Sequence, residues 1–241
     1  MKLTILVPVY NEEKTVVYLL NRLLSVSLPH VKKQIIVIDD GSTDKTLQRI
    51  EAFLGSLPKR SITLVRHKIN QGKGAAIRTG IKKATGEYCI IQDADLEYDP
   101  RYIKHLLSPI LLGQAQVVYG SRLNRLPHFK REEKTLQFLL HYAGNRLLSL
   151  LTSILYGQWI TDMETCYKVI PTEFLKKTSL VAQGFEFEPE ITAQLLKVNY
   201  RIHEVSITTK PRSYKEGKKL QTWKDGKKAL QTLVKCRFSN S

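Results

Sequence analysis

An α/β protein built on an open, mostly parallel sheet is what this 241-residue chain predicts, and three observations carry the prediction. Its first 120 residues alternate short apolar runs with helical patterns, the order of a βαβ array. The runs LTILVPV, QIIVIDD and EYCIIQD lack in/out alternation, as strands covered on both faces do. Polar clusters PVYNEE, DDGS and DADLE each follow a strand directly, which puts them together at the carboxyl edge of such a sheet, where ligands bind.

The elements follow in order. LTILVPV (3–9) is the first strand, and Asn11 is the start signal for a helix on EEKTVVYLLNRLL. QIIVIDD (34–40) is the second, with Ser42 to Asp44 ahead of the helical TLQRIEAFL. SITLVR (61–66) is the third, and Gly72 to Gly74 open a helix on AAIRTGIKKA. EYCIIQD (87–93) is the fourth, and Asp99 with Pro100 forms a cap and first-turn pair for RYIKHLLSPILL. QVVYG (116–120) is the fifth. Beyond it the pattern changes: residues 132–160 form a long, mainly apolar helical stretch, and CYKVI and RIHEVSI read as further strands. With no internal repeat or low-complexity segment, one domain at 1–210 is expected, with a basic C-terminal lid and helix at 211–241 belonging to the same unit.

Hydrophobic content of 42% and charged content of 25% exclude wholesale disorder. The formal net charge is +16, and half of it lies between Arg201 and Ser241, where eleven Lys or Arg face three acids. Such a segment suits nucleic acid, an anionic membrane or a phosphorylated substrate, or is a solvated basic face. The aromatics suggest no base-stacking platform, so nucleic acid is not an expected partner. Cys89, Cys166 and Cys236 are odd in number and lack CxxC spacing, which points to a reducing compartment. The N-terminal apolar run is short and ends in polar helix-start residues, unlike a signal peptide. No uncharged stretch reaches the roughly 20 residues a bilayer requires; the nearest, 147–161, has 15. A soluble or peripheral protein is expected.

Within the polar clusters, Asp39, Asp40 and Ser42 either cap the next helix or hydrogen-bond a nucleobase edge or ribose. Positions i and i+2 of a strand share a face, so if strand geometry continues to Asp95, its carboxylate joins that of Asp93 as an oxygen pair suited to Mg²⁺ or Mn²⁺. Glu97 extends that face if the backbone stays extended. NQGKGAAIRTG lacks the P-loop pattern; its glycines, Lys73 and Arg78 fit a structural turn as well as a phosphate-binding loop.

PVYNEE, DDGSTDKT, NQGKGAAIRTG, DADLEYDP, GSR and DMETCYK, in this order, resemble the family 2 glycosyltransferases of the GT-A fold, a Rossmann-like architecture with flanking helices. More narrowly they resemble the dolichol- and polyprenol-phosphate mannosyl- and glucosyltransferases, over nearly the whole chain. The resemblance implies that Pro8, Tyr10, Glu12 and Asp40 line a nucleotide pocket, with Lys73 and Asp93 beside them. It implies that Asp93 and Asp95 form the metal-binding DxD, with Glu97 where many relatives carry Gln. Arg122 of GSR and Arg212 of KPRSY would contact phosphates; with Asp95 they are the expected catalytic set. Many relatives place Arg and Ser in the helix after GSR, near the acceptor phosphate. This chain offers His141 and Asn145, which either take over that contact, with Lys218, or are ordinary helix positions.

The implied reaction is inverting transfer of a hexose from a nucleotide sugar, GDP-mannose or UDP-glucose, to a polyprenyl or dolichyl phosphate. The departing diphosphate calls for a metal and nearby cations. A phosphate monoester is largely a dianion near neutral pH, with a second pKa of about 6, so the nucleophile needs no general base. Glu186, Glu188 and Glu190 of FEFEPE are possible exceptions: Glu188 either orients substrate or is a cap or loop residue. The alternative acceptor, a saccharide or small alcohol, would make such a carboxylate essential. Residues 134–161, with Phe138, Tyr142, Tyr156 and Trp159, suit either a membrane-interface element or a core helix. The basic C-terminal segment with Trp223 suits an anionic membrane surface, and SYKEGKK is expected to close over the bound phosphates. A cytoplasmic protein, peripheral on the cytoplasmic face of a membrane, is the expectation, and a separate membrane-anchoring protein is a candidate partner.

Overall fold

A computed structural model describes residues 1–58, 61–123, 136–210, 212 and 222–239. Its strands are β1 (Lys2–Val9), β2 (Lys32–Asp39), β3 (Ile62–Arg66), β4 (Tyr88–Ile91), β5 (Val117–Ser121), β6 (Lys168–Pro171) and β7 (Ile202–Ser206). The helices are α1 (Val16–Ser25), α2 (Thr46–Gly55), α3 (Lys73–Lys83), α4 (Tyr102–Leu111), α5 (Leu136–Tyr156), α6 (Thr172–Lys177), α7 (Phe187–Lys197) and α8 (Thr222–Phe238).

The seven strands form one sheet in the order β3-β2-β1-β4-β6-β5-β7. Every neighbouring pair is parallel except the two made by β6, which runs against both β4 and β5. The contiguous apolar runs are buried as expected: Leu3, Ile5, Leu6, Val7, Ile36, Val37, Ile38 and Ile90 are all at 0% exposure. Helices cover both faces, which is why these strands do not alternate.

Three local departures from sequence expectation shape the site. Helix α1 starts at Val16 instead of just after Asn11, because the intervening backbone has other partners. Asn11 N–H donates to Ser42 Oγ, Glu12 N–H to Thr46 Oγ1 and Glu13 N–H to Asp44 Oδ2, while Asn11 takes a φ of 50°. These bonds tie the ends of β1 and β2 together. Strand β4 ends at Ile91, two residues before Asp93, and the chain turns through Leu96 at φ 65°, so the shared-face argument for Asp93 and Asp95 does not apply. FEFEPE begins a helix, α7, that the sequence reading did not identify.

The glycines of NQGKG are structural. Gly72 has a φ of 96°, and a Cβ there would sit 2.4 Å from the carbonyl oxygen of Gln183; one on Gly74 would sit 2.5 Å from that of Ala182. The loop is thus packed backbone to backbone on residues 182–184, with Ala75 N–H bonded to Gln183 O. Helix α5 ends at Gly157, in a left-handed conformation with its N–H on Ser153 O. No helix among the described residues is long and apolar enough to cross a membrane. All three cysteines are buried and unpaired, Cys89 within β4 as expected.

Candidate active site

A cavity of about 440 Å³ opens along the carboxyl edge of the sheet. Its wall brings together Pro8, Tyr10, Glu12, Asp40, Lys73, Asp93, Asp95, Glu97, Arg122, His141, Asn145 and Arg212. The residues that the family resemblance assigned to nucleotide, metal or phosphate contact are therefore at one place; Lys218, with the rest of SYKEGKK, lies outside the described residues, and Arg78 is off the wall, its guanidinium donating to Ala182 O. Asp39 and Ser42 are not on the wall; Asp39 is buried behind it, and Ser42 holds Asn11.

At the β1–β2 end, Asp40 Oδ1 accepts the Gln71 N–H and lies 2.6 Å from His67 Nδ1, and its Oδ2 accepts the Gly72 N–H. His67 Nε2 meets Thr79 Oγ1 at 2.9 Å, which fixes the imidazole behind Asp40. The sequence reading missed His67. Its signal was a polar residue immediately after a parallel strand.

At the end of β4 the acids are crowded. Lys73 Nζ lies 2.8 Å from Asp93 Oδ1 and 3.0 Å from its Oδ2. Burial works against the charge on Lys73, but Asp93 and Glu188 outweigh it and hold the ammonium well above its ordinary pKa. Asp95 is pushed up to about 7 by burial first, then by Asp93 and Glu97. Partly buried carboxylates crowded together in this way mark a place for a cation. Glu97 is partly committed elsewhere, its Oε1 accepting the Arg212 N–H. No group of three or more His, Cys, Asp or Glu among the described residues is arranged to hold a metal by itself. Asp93 and Asp95 fit Mg²⁺ or Mn²⁺ in the way these ions are commonly bound, by one or two carboxylates plus substrate phosphates. Asp99 and Pro100 precede α4, whose N-cap position is Arg101 with no side-chain cap bond; in the turn ahead of the helix Asp99 accepts the Arg101 N–H and guanidinium and pairs with Arg22. These bonds hold its carboxyl well below the usual range although burial pushes the other way.

Two arginines complete the wall. Arg122, just beyond β5, is clamped by Asp162, with Nε on Oδ2 and Nη2 on Oδ1, both at 2.8 Å. Arg212 lines the cavity: Nη1 and Nη2 bond the two oxygens of Glu12 at 3.1 and 2.7 Å, and Nε donates to Asp95 O.

Beneath the acids lies a buried charge cluster formed by segments remote in sequence. Lys168 of β6, fully buried, donates to the carbonyls of Met163 and Thr165 and to Glu188 Oε2 at 2.7 Å. Glu188 Oε1 makes no hydrogen bond and only an ion-pair contact of 3.3 Å with Lys73. Glu164 also borders the cavity, its buried Oε1 unbonded, its carboxyl pushed up to about 7 chiefly by burial. Glu164 belongs to DMETCYK, a segment whose resemblance to the family implies no role for this acid. Glu186 and Glu190 are loop and cap residues, accepting N–H groups of residues 181–184.

A mostly parallel sheet with an acid- and arginine-lined cleft at its carboxyl edge is an open α/β architecture with its ligand site at the strand ends. The chain belongs to glycosyl transferase family 2, whose sequence model matches residues 4–178. Among solved structures, glucosyl-3-phosphoglycerate synthase from Mycobacterium tuberculosis in complex with UDP superposes with a TM-score of 0.74 at 18% identity, over 100% of this chain and 81% of that one. The same protein in complex with Mg²⁺ and UDP gives a TM-score of 0.71 at 19% identity, over 100% and 80%. Among sequence relatives, dodecaprenyl-phosphate galacturonate synthase of Rhizobium johnstonii is 29% identical over 89% of this chain, and the match spans 60% of that protein's length. The UDP-N-acetylglucosamine–dolichyl-phosphate N-acetylglucosaminyltransferase of Methanococcus voltae is 29% identical over 85% of this chain and 84% of its own. The dolichyl-phosphate β-glucosyltransferase of Dictyostelium discoideum is 26% identical over 98% of this chain and 74% of its own.

Proposed function

We propose that this chain transfers a hexose, with inversion, from a nucleotide sugar such as GDP-mannose or UDP-glucose to a polyprenyl or dolichyl phosphate at a membrane surface. The observation that carries the reading is one cavity in which paired acids and arginines adjoin a helix with an exposed apolar face. Leu140, Leu147, Leu150 and Ile154 recur at helical spacing on α5 and are 42–70% exposed, while His141 and Asn145 of the same helix reach the cavity. Trp159 just beyond is 69% exposed, and the adjoining α8 adds Leu230, Val234 and Phe238 among the exposed Lys227, Lys228, Lys235 and Arg237. An apolar stripe beside basic residues suits an anionic bilayer surface and brings a lipid headgroup to the cavity. The relatives named for dolichyl- and dodecaprenyl-phosphate acceptors support the same acceptor class.

In this reading Asp40, Pro8 and Tyr10 hold the nucleoside, and Asp93 and Asp95 hold Mg²⁺ or Mn²⁺ with the diphosphate. The cation supplies Lewis-acid stabilisation of the departing diphosphate. Arg122, oriented by Asp162, and Arg212, released from Glu12, bind phosphate oxygens by charge-assisted hydrogen bonds. His141 and Asn145 stand where the acceptor phosphate enters. That phosphate attacks as a dianion, so no side chain has to remove a proton. The alternative acceptor, a saccharide or alcohol, loses its expected base, because the Glu188 carboxylate is committed to Lys168 and Lys73.

The test is incubation with labelled GDP- and UDP-sugars, polyprenyl phosphate and Mg²⁺ or Mn²⁺. A chloroform-soluble product that vanishes with EDTA and returns with metal is expected. No lipid-soluble product from any donor refutes the proposal.

A further inference from the structure

We infer that Glu164 and Glu188 form the hexose subsite, and that these two carboxylates make the enzyme select an uncharged, hydroxyl-rich sugar and reject a uronic acid. The inference deepens the proposed donor reaction and rests on it.

Strand order places the subsites. Along the carboxyl edge, the sheet presents Asp40 after β2, Tyr10 after β1, Asp93 and Asp95 after β4, then Glu164 before the reversed β6 and Arg122 after β5. A nucleotide sugar laid along this edge with its base at Asp40 and its diphosphate at Asp93 and Asp95 puts the hexose at Glu164 and Glu188. Lys73 touches both Asp93 and Glu188, so the Glu188 carboxylate is one ammonium group away from the diphosphate position.

The chemistry of this end is that of an acceptor. Each glutamate borders the cavity and carries one buried oxygen, Oε1, that makes no hydrogen bond among the described residues; that of Glu188 has only the 3.3 Å ion-pair contact with Lys73. Buried polar atoms rarely stay unbonded, and a ligand O–H satisfies such an oxygen. Phosphate would be repelled, whereas a neutral hexose offers several hydroxyl donors. Above about pH 7, where Glu164 is ionised beside Glu188, a hexuronate brings a third carboxylate to the pair, and like charges in a buried site disfavour it.

The pocket is also rigid. Glu204 of β7 accepts the N–H groups of Thr161 and Asp162, and Ser149 Oγ accepts that of Met163, which fixes the loop carrying Glu164. Lys168 fixes Glu188 from below. The dodecaprenyl-phosphate galacturonate synthase of Rhizobium johnstonii is named for a uronic acid; this chain, 29% identical to it, is expected to differ at the donor sugar.

The experiment compares, by calorimetric titration with Mg²⁺ present, the affinities of the nucleoside diphosphate, its neutral hexose conjugate and its uronic-acid conjugate, in UDP and GDP series. Wild type is set against Glu164→Gln and Glu188→Gln, each first checked for a folded circular dichroism spectrum. Relative to the bare diphosphate, Glu164→Gln weakens the neutral sugar nucleotide about tenfold, the worth of one charged hydrogen bond, and narrows or reverses its advantage over the uronate. Glu188→Gln shifts the same ratios in the same direction, and Glu164→Gln suffices should Glu188→Gln fail to fold. Ratios unchanged within about twofold in Glu164→Gln overturn the inference. So does loss of turnover with sugar-nucleotide affinity intact, which would make Glu164 a proton acceptor instead. Failure of wild type to bind any nucleoside diphosphate would overturn the donor reading itself and the inference with it, a result distinct from either of these.

Discussion

Replacing Lys168 with methionine tests the buried charge cluster that supports the cavity floor. The ammonium has three protons and three acceptors: Met163 O, Thr165 O and Glu188 Oε2. It also sits 4.8 Å from the centroid of the Tyr119 ring, at 0% exposure. Methionine fills the same volume but leaves two buried carbonyls without this donor and Glu188 with only the Lys73 contact at 3.3 Å. Breaking one side of a buried pair costs about 3–5 kcal/mol, since the surviving charge keeps its desolvation penalty. For a chain of this length each kcal/mol lowers the midpoint by about 2–4 °C, so a fall of roughly 6–20 °C is expected. Urea and thermal unfolding followed by circular dichroism measure it. Lys168→Met combined with Glu188→Leu removes both charges and should recover most of the loss. A single variant within about 1 kcal/mol of wild type, or a double variant less stable than the sum of the singles, would refute the account of this cluster.

Gly72→Ala should cost roughly 2–4 kcal/mol in urea unfolding, because φ is 96° and the new Cβ meets the Gln183 carbonyl at 2.4 Å. It should also weaken nucleoside diphosphate binding by displacing Lys73 and the N–H groups on Asp40; unchanged stability would show that the loop can move away. Glu164 gives a pH signature. Its carboxyl, raised to about 7 by burial, keeps its proton in the folded chain at pH values where the unfolded chain has lost it. The stabilising contribution is therefore present below the unfolded pKa and is lost as pH rises through about 7, so Glu164→Gln should gain on wild type in thermal midpoint between pH 4.5 and 8. A difference that does not vary with pH would contradict the burial argument.

Much of the fold was legible because burial on both faces writes itself into sequence as unbroken apolar runs. LTILVPV, QIIVIDD and EYCIIQD became three adjacent parallel strands for that reason. The direction of β6 was not legible, because a four-residue apolar strand looks the same whichever way it runs. Helix α1 began later than its pattern suggested because Ser42, Asp44 and Thr46, some thirty residues away in sequence, captured the N–H groups of Asn11 to Glu13. Local propensity holds no information about such partners.

The site divides the same way. Asp40, Asp93 and Asp95 could be placed from sequence, because each follows a strand and the carboxyl ends of parallel strands gather at one edge, whereas Arg122 was assigned only by the resemblance of GSR to the family. The physical basis given there for Asp93 and Asp95, a shared strand face, does not hold: β4 stops at Ile91, and tertiary packing brings the two acids to the cavity. His67, Lys168, Glu188 and the free oxygen of Glu164 were decided by tertiary structure only. Their meaning lies in contacts between β3, β6, α7 and the turn before β6, whose relative placement depends on strand order and on the reversal of β6. Hydrophobic periodicity fixes which segments become strands and helices, because it is a local property of the chain; which buried charge faces which depends on distances the one-dimensional order does not contain.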